Sequence, residues 1–148
     1  MSGIRNNGIQ VQEYVYDFAV DGGATGEIFL SSKAGYAPIP NGAIIKSVTA
    51  KVVTAFTSDG SATLAWGNDD DPDGYSGSAI AVASLTDNAL FNGWDNASSL
   101  LWDDTNDHPI PVAVVNTDDG EFSVTIGTAA MTAGKALFLV EYLLPTED

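Results

Sequence analysis

The chain has 148 residues, no cysteine, and a formal net charge of −15 from 20 acidic and 5 basic residues. That length suits one ordinary domain with a core large enough to need no disulfide or metal. Without a thiol there is no disulfide framework, thiolate zinc site or cysteine nucleophile. The charge argues against nucleic acid and anionic membranes as partners, since both are held by Lys and Arg, and it leaves hard cations or basic surfaces.

The opening MSGIRNNGIQ is polar and rich in Gly and Asn. It lacks the apolar segment of a signal peptide, so synthesis in a cytoplasm is expected. Residues 1–10 read as a flexible arm outside the core, with residues 11–148 as the domain. Its Ile4 and Arg5 are candidate interface residues, with a start segment of no role as the equal alternative.

Tyr14, Tyr16 and Phe18 recur at every second residue, which predicts a strand over 12–20, ended by Gly22-Gly23. A short strand over 27–32 and a loop with Pro38, Pro40 and Gly42 follow. The clearest strand runs over 43–57. Its even positions from Ile44 to Phe56, Lys46 included, are mainly apolar, and its odd positions are mainly polar. Ser58-Asp59-Gly60 is a turn signal, and Ala62, Leu64 and Trp66 resume the period, so these two strands read as a hairpin.

The middle is less regular. Residues 78–90, rich in Ala, read as a helical turn or short helix. Residues 92–109 are irregular and hold Trp94 and Trp102. Strands return over 110–115 and 122–126. The last, over 135–144, is apolar on both faces apart from Glu141, which places it centrally in a sheet. Seven or eight strands separated by turns predict an all-β, single-domain β-sandwich, jelly-roll-like, with a long irregular central loop region.

Three groups of residues bear on function. Asp69, Asp71 and Asp73, followed by Gly74, match the first half of a calcium loop. The bidentate Glu of such a loop is replaced by Ile80, and Pro72 stiffens the turn. A calcium site and a solvated acidic tip both stand, and no other cofactor is expected. Asp103, Asp104 and Asp107 lie beside His108, the only histidine; no nucleophile signature surrounds any Ser, so an exposed His is the simpler reading than a hydrolase site. Trp66, Trp94 and Trp102 suit either a sugar platform or structural use, with Trp66 in the core and Trp94 and Trp102 at a loop or subunit interface.

The segments GTAAMTAGKALFLVEYLLP (127–145) and PIPNGAIIKSVTAKVVTAFTSDGSATLAWG (38–67), the latter followed by an acidic DxDG loop, resemble the capsid decoration (cement) proteins of tailed bacteriophages. The resemblance covers about a third of the chain. It implies a structural protein, without catalytic residues, that binds the outside of an icosahedral head, usually as a homotrimer, and clamps major capsid proteins together. The alternative is a carbohydrate- or receptor-binding β-sandwich module of a phage fibre.

Overall fold

The period-two patterns become strands packed as two facing sheets. The computed structural model describes residues 8–92, 114–115 and 121–145. Its strands are β1 (Gln10–Asp17), β2 (Gly26–Phe29), β3 (Ile44–Ser58), β4 (Thr63–Gly67), β5 (Ile80–Ala81), β6 (Leu90–Asn92), β7 (Val114–Val115), β8 (Ser123–Gly127) and β9 (Met131–Leu143). One sheet runs β1-β9-β3-β6, with β7 also paired to β3, and the other runs β2-β8-β4-β5. Every pairing is antiparallel. This is the all-β sandwich the sequence predicts, and β9 sits between β1 and β3, as its two-sided apolar pattern requires.

Three local expectations change. The strands on either side of Asp59-Gly60 are not a hairpin: β3 lies in the first sheet and β4 in the second. Both edges of β3 are already taken, one by β9 and the other by β6 and β7. The turn therefore carries the chain across the sandwich. Residues 128–130 make a second such crossing between β8 and β9, with Thr128 at φ +69°. A turn signal between two alternating runs cannot distinguish a hairpin from a corner. Of the two readings of the Ala-rich stretch, the helical turn holds and the short helix does not: a single 3-10 turn, Val82–Ser84, follows the unexpected two-residue strand β5. The backbone of this stretch is used by β3: Phe56 N–H donates to Leu85 O at 2.9 Å and Val52 N–H to Ala89 O at 2.9 Å. Finally, the first strand stops at Asp17, whose side chain caps a one-turn helix, α1 (Phe18–Asp21), by accepting from Ala19 N–H at 3.0 Å. At the other end of that strand, Gln10 already pairs with Tyr142.

The core forms where the inner faces meet, and Phe122 is its hub. It is fully buried. Tyr14 stacks on it from β1 at 4.8 Å between ring centroids and Tyr75 at 5.7 Å. Phe138 of β9 tilts against it at 5.3 Å and continues to Trp66 of β4 at 5.4 Å. Aromatic rings reach across the gap of roughly 10 Å between stacked sheets while burying more area per residue than aliphatic ones. Phe122 is also held by its backbone: its N–H donates to Ser31 Oγ at 3.0 Å, and its carbonyl accepts from Leu30 N–H at 2.9 Å.

The two tyrosines of β1 add polar ties at the end of apolar rings. Tyr14 Oη donates to Ala37 O at 2.7 Å and Tyr16 Oη to Gly22 O at 2.6 Å. Burial raises the pKa of both phenols, with Tyr142 adding to the effect at Tyr14. For Tyr16, Asp21 and then Asp17 add to it, and its pKa is pushed up to about 12. Gly134 of β9 sits at φ +140°, and a Cβ there would overlap the Phe56 ring.

Two outcomes are expected. Gly134→Ala should destabilise the protein by about 2–4 kcal/mol, through backbone strain and overpacking together, measured by urea unfolding; a loss under about 0.5 kcal/mol would refute the close contact. The second concerns alkali. Tyr16 holds its proton more tightly folded than unfolded, so this contribution is complete below pH 10 and lost as pH rises towards about 12. Melting temperature should fall through that window, and less steeply in Tyr16→Phe. Equal slopes for the two proteins would show that Tyr16 does not carry the effect.

Candidate assembly surface

Ile4 and Arg5, Trp94 and Trp102, and the group from Asp103 to His108 lie outside the described residues. So does most of the strand expected over 110–115, of which Val114 and Val115 pair with Ile45 and Ile44. Trp66 is buried at 2% exposure. It packs edge-on to Phe91 at 5.8 Å, so its place is the core and not a sugar platform.

The acidic loop joins β4 to β5. Its folding follows from backbone hydrogen bonds. Asn68 Oδ1 accepts from Asp71 N–H at 2.8 Å, and Asn68 N–H donates to Asp71 O at 3.1 Å. Asp71 O also accepts from Gly74 N–H at 3.0 Å, and Asp73 O from Gly77 N–H at 2.7 Å. Tyr75 and Ser76 N–H both reach Trp66 O, at 3.0 and 3.1 Å. Gly67 is required here because a Cβ would overlap the Asp71 carbonyl. The turn therefore spends main-chain carbonyls internally, while Asp69 and Asp73 are exposed. Among the described residues, no three acidic or histidine side chains gather as a metal site. Ile80 is a buried strand residue paired with Leu64.

A second surface has more of the character of an interface. It is the outward face of the first sheet. Tyr14 and Tyr16 point inward from β1, so Val11, Glu13 and Val15 point outward. On β9 the inward set is Ala136, Phe138, Val140 and Tyr142, and the outward set is Lys135, Leu137, Leu139, Glu141 and Leu143. The register sets Val15 beside Leu137, Glu13 beside Leu139, and Val11 beside Glu141. On the far side of β9, Lys51 lies beside Leu137 and Thr49 beside Leu139, with Leu90 of β6 next to Lys51. Val11, Val53 and Leu90 are 54%, 46% and 60% exposed.

Lys46 belongs to this face as well, contrary to the period-two expectation that put it with the core residues. The β3–β9 register shifts between Ile45 and Ser47. One extra residue is thus inserted, and Ile45 and Val48, not the even positions throughout, become buried. Lys46 is fully exposed as a result. A second shift between Val52 and Thr54 falls at Val53. Around the edge, Asp17 and Lys135 pair at 3.6 Å, and Ser47 Oγ donates to Glu141 Oε2 at 3.1 Å.

No protein-family model matches the chain, and no curated protein matches it. Among solved structures, it is similar to a chain of the cyanophage Pam1 capsid asymmetric unit, at 20% identity and a TM-score of 0.55, over 98% of this chain and 91% of that one. It is similar to a chain of the acidic stable capsid of Helicobacter pylori bacteriophage KHP30, at 13% identity and a TM-score of 0.59, over 93% and 89%. A chain of the Ralstonia phage GP4 capsid aligns at 12% identity and a TM-score of 0.52, over 99% and 92%. The shared feature is the fold. All three are chains of bacteriophage capsid structures.

The acidic loop yields a direct expectation. Treatment with EDTA should leave the melting temperature within about 2 °C, since a metal stabilises only in proportion to the logarithm of its excess over Kd. Ile80→Glu, which restores the ligand type at that position, should lower stability because it drives a carboxylate into the core. A large drop on chelation, or a calcium-dependent rise in the variant, would establish a site at Asp69, Asp71 and Asp73.

Proposed function

We propose that the chain is a structural virion protein that binds the outside of an icosahedral phage head as a homotrimer and stabilises contacts between major capsid subunits. The observation that carries this is the two-way coverage of the structural matches. Each alignment spans 93–99% of this chain and 89–92% of the other, so the capsid chains it resembles are themselves of about this size. A chain this small makes one sandwich, with little left over to build a shell wall by itself. Attachment to a shell made by a larger protein is the role that fits it.

The physical character of the chain supports the reading. A charge of −15 keeps free copies dispersed at the high concentrations of an infected cell. It also turns the chain away from the packaged DNA, whose phosphates repel it. The apolar outward sheet face supplies buried area without any catalytic group. The arm ahead of β1, residues 1–9, has Ile4 and Arg5 as its anchors and, in this role, is laid along a neighbouring capsid subunit.

In the phage that encodes it, the protein should be a stoichiometric component of purified intact heads and reachable by antibody from outside. Removing residues 2–9 should leave the melting temperature nearly unchanged and weaken attachment to heads by about tenfold or more, which is roughly 1.4 kcal/mol or more. Absence from purified heads would refute the shell role. Unchanged attachment of the truncated protein would refute docking by the arm alone.

A further inference from the structure

We infer that the outward face of the β1-β9-β3-β6 sheet is the contact between copies of this chain, with the β1 side of one copy seated against the β3 side of the next. The homotrimer proposed above supplies only the copy number for this inference; the face itself is argued from its own residues.

The first argument is the distribution of charge. Of the 5 basic residues in the chain, Lys46, Lys51 and Lys135 all lie on or at the edge of this face; among the described acidic residues, Glu13, Glu141 and Asp17 lie there too, and Asp87 is held at the β3 edge, its carboxylate accepting from Ala55 N–H at 2.6 Å. The remaining described cation, Lys33, is used internally, donating to Val15 O at 2.8 Å and pairing with Asp21 at 2.9 Å. Among the described residues, cations are therefore concentrated at this face of a strongly acidic molecule. A second copy brings −15 with it, so copies can approach only where that repulsion is reduced. The cations of this face offset that repulsion locally, and its centre is the apolar pair Leu137 and Leu139.

The second argument is the order of the charges. Glu13 and Asp17 stand on β1, at one side; Lys46 and Lys51 stand on β3, at the other; Glu141 and Lys135 lie on β9 between them. Neighbouring strands are about 4.8 Å apart, so the two sides are separated by roughly 10 Å across the sheet. Rotation about an axis parallel to β9 brings the acidic side of one copy against the basic side of the next. It does so at every contact of a closed ring, and Leu137 and Leu139 then face the axis. The face is complementary to itself, and it fits a second copy better than it fits a surface of single sign.

The test is sedimentation equilibrium on the full chain at roughly 100 µM, a concentration well above a micromolar dissociation constant. The wild type should have three times the chain mass. Glu13→Lys and Lys51→Glu, both at positions exposed to solvent, should each weaken association by about tenfold or more, and the double exchange should recover it. Melting temperatures measured alongside should stay close to wild type, which separates lost association from lost folding. A monomeric wild type, single variants that associate normally, or a double exchange without recovery would each overturn the inference. Binding to heads is measured separately: if the wild type is monomeric while Lys51→Glu loses head binding, the face belongs to the shell contact and the copy–copy assignment is wrong. If the copies associate as described but heads are not bound, the face stands and the shell role falls.

Discussion

The antiparallel ladder between β3 and β9 is the constraint on which the rest of the structure depends. It runs from Ile44 opposite Leu143 to Ser58 opposite Met131. Its two strands are the longest in the molecule, at 15 and 13 residues. They are also far apart in the chain, so the pairing closes a long loop and must be repaid by many contacts at once. Once formed, it leaves one edge of β9 for β1 and one edge of β3 for β6 and β7. No edge remains for β4, which is why the chain crosses to the second sheet after Gly60.

The same ladder sets both faces of the first sheet. Inward, it presents Phe138, Val140, Val48 and Val52 to the second sheet, with Phe122 bridging the gap. Outward, it presents Leu137 and Leu139 between Glu13 and Lys51. A strand that is apolar on both faces packs within the chain on one of them and leaves the other for a partner in the proposed assembly. The bulges at 45–47 and 52–54 matter for the outward face. They insert residues into β3 opposite β9, and so put Lys46 and Val53 in exposed positions.

Charge and fold play largely separate parts. A few described acidic residues serve the fold, as Glu27 does by accepting from the buried Ser123 hydroxyl at 2.6 Å, while Asp69, Asp70 and Asp73 sit exposed in the loop joining β4 to β5. The effect of the acidic surplus is between molecules: it limits where a like-charged copy can approach. The few cations then carry more information than the many anions. One of them, Lys33, stitches β1 to α1 through Val15 O and Asp21, and the others described gather on a single face.

The fold class and the central position of the final strand were determined by the sequence alone, because period-two alternation and a two-sided apolar run are local consequences of burial. Trp66 in the core was legible for the same reason, since it keeps the strand period. The incomplete calcium pattern was legible too, and Ile80 proves to be a core residue of a strand. Partner choice was left to the tertiary structure. Whether Asp59-Gly60 closes a hairpin or turns a corner depends on which strand edges are already occupied, and that is decided by β9 on one side of β3 and by β6 and β7 on the other, all of them later in the chain. The side on which Lys46 emerges depends on a bulge, which a single inserted residue creates and no alternation pattern reveals. The juxtaposition of Glu13, Leu139 and Lys51 likewise exists only because three strands distant in sequence share one register, and register is set by the packing of the whole sheet.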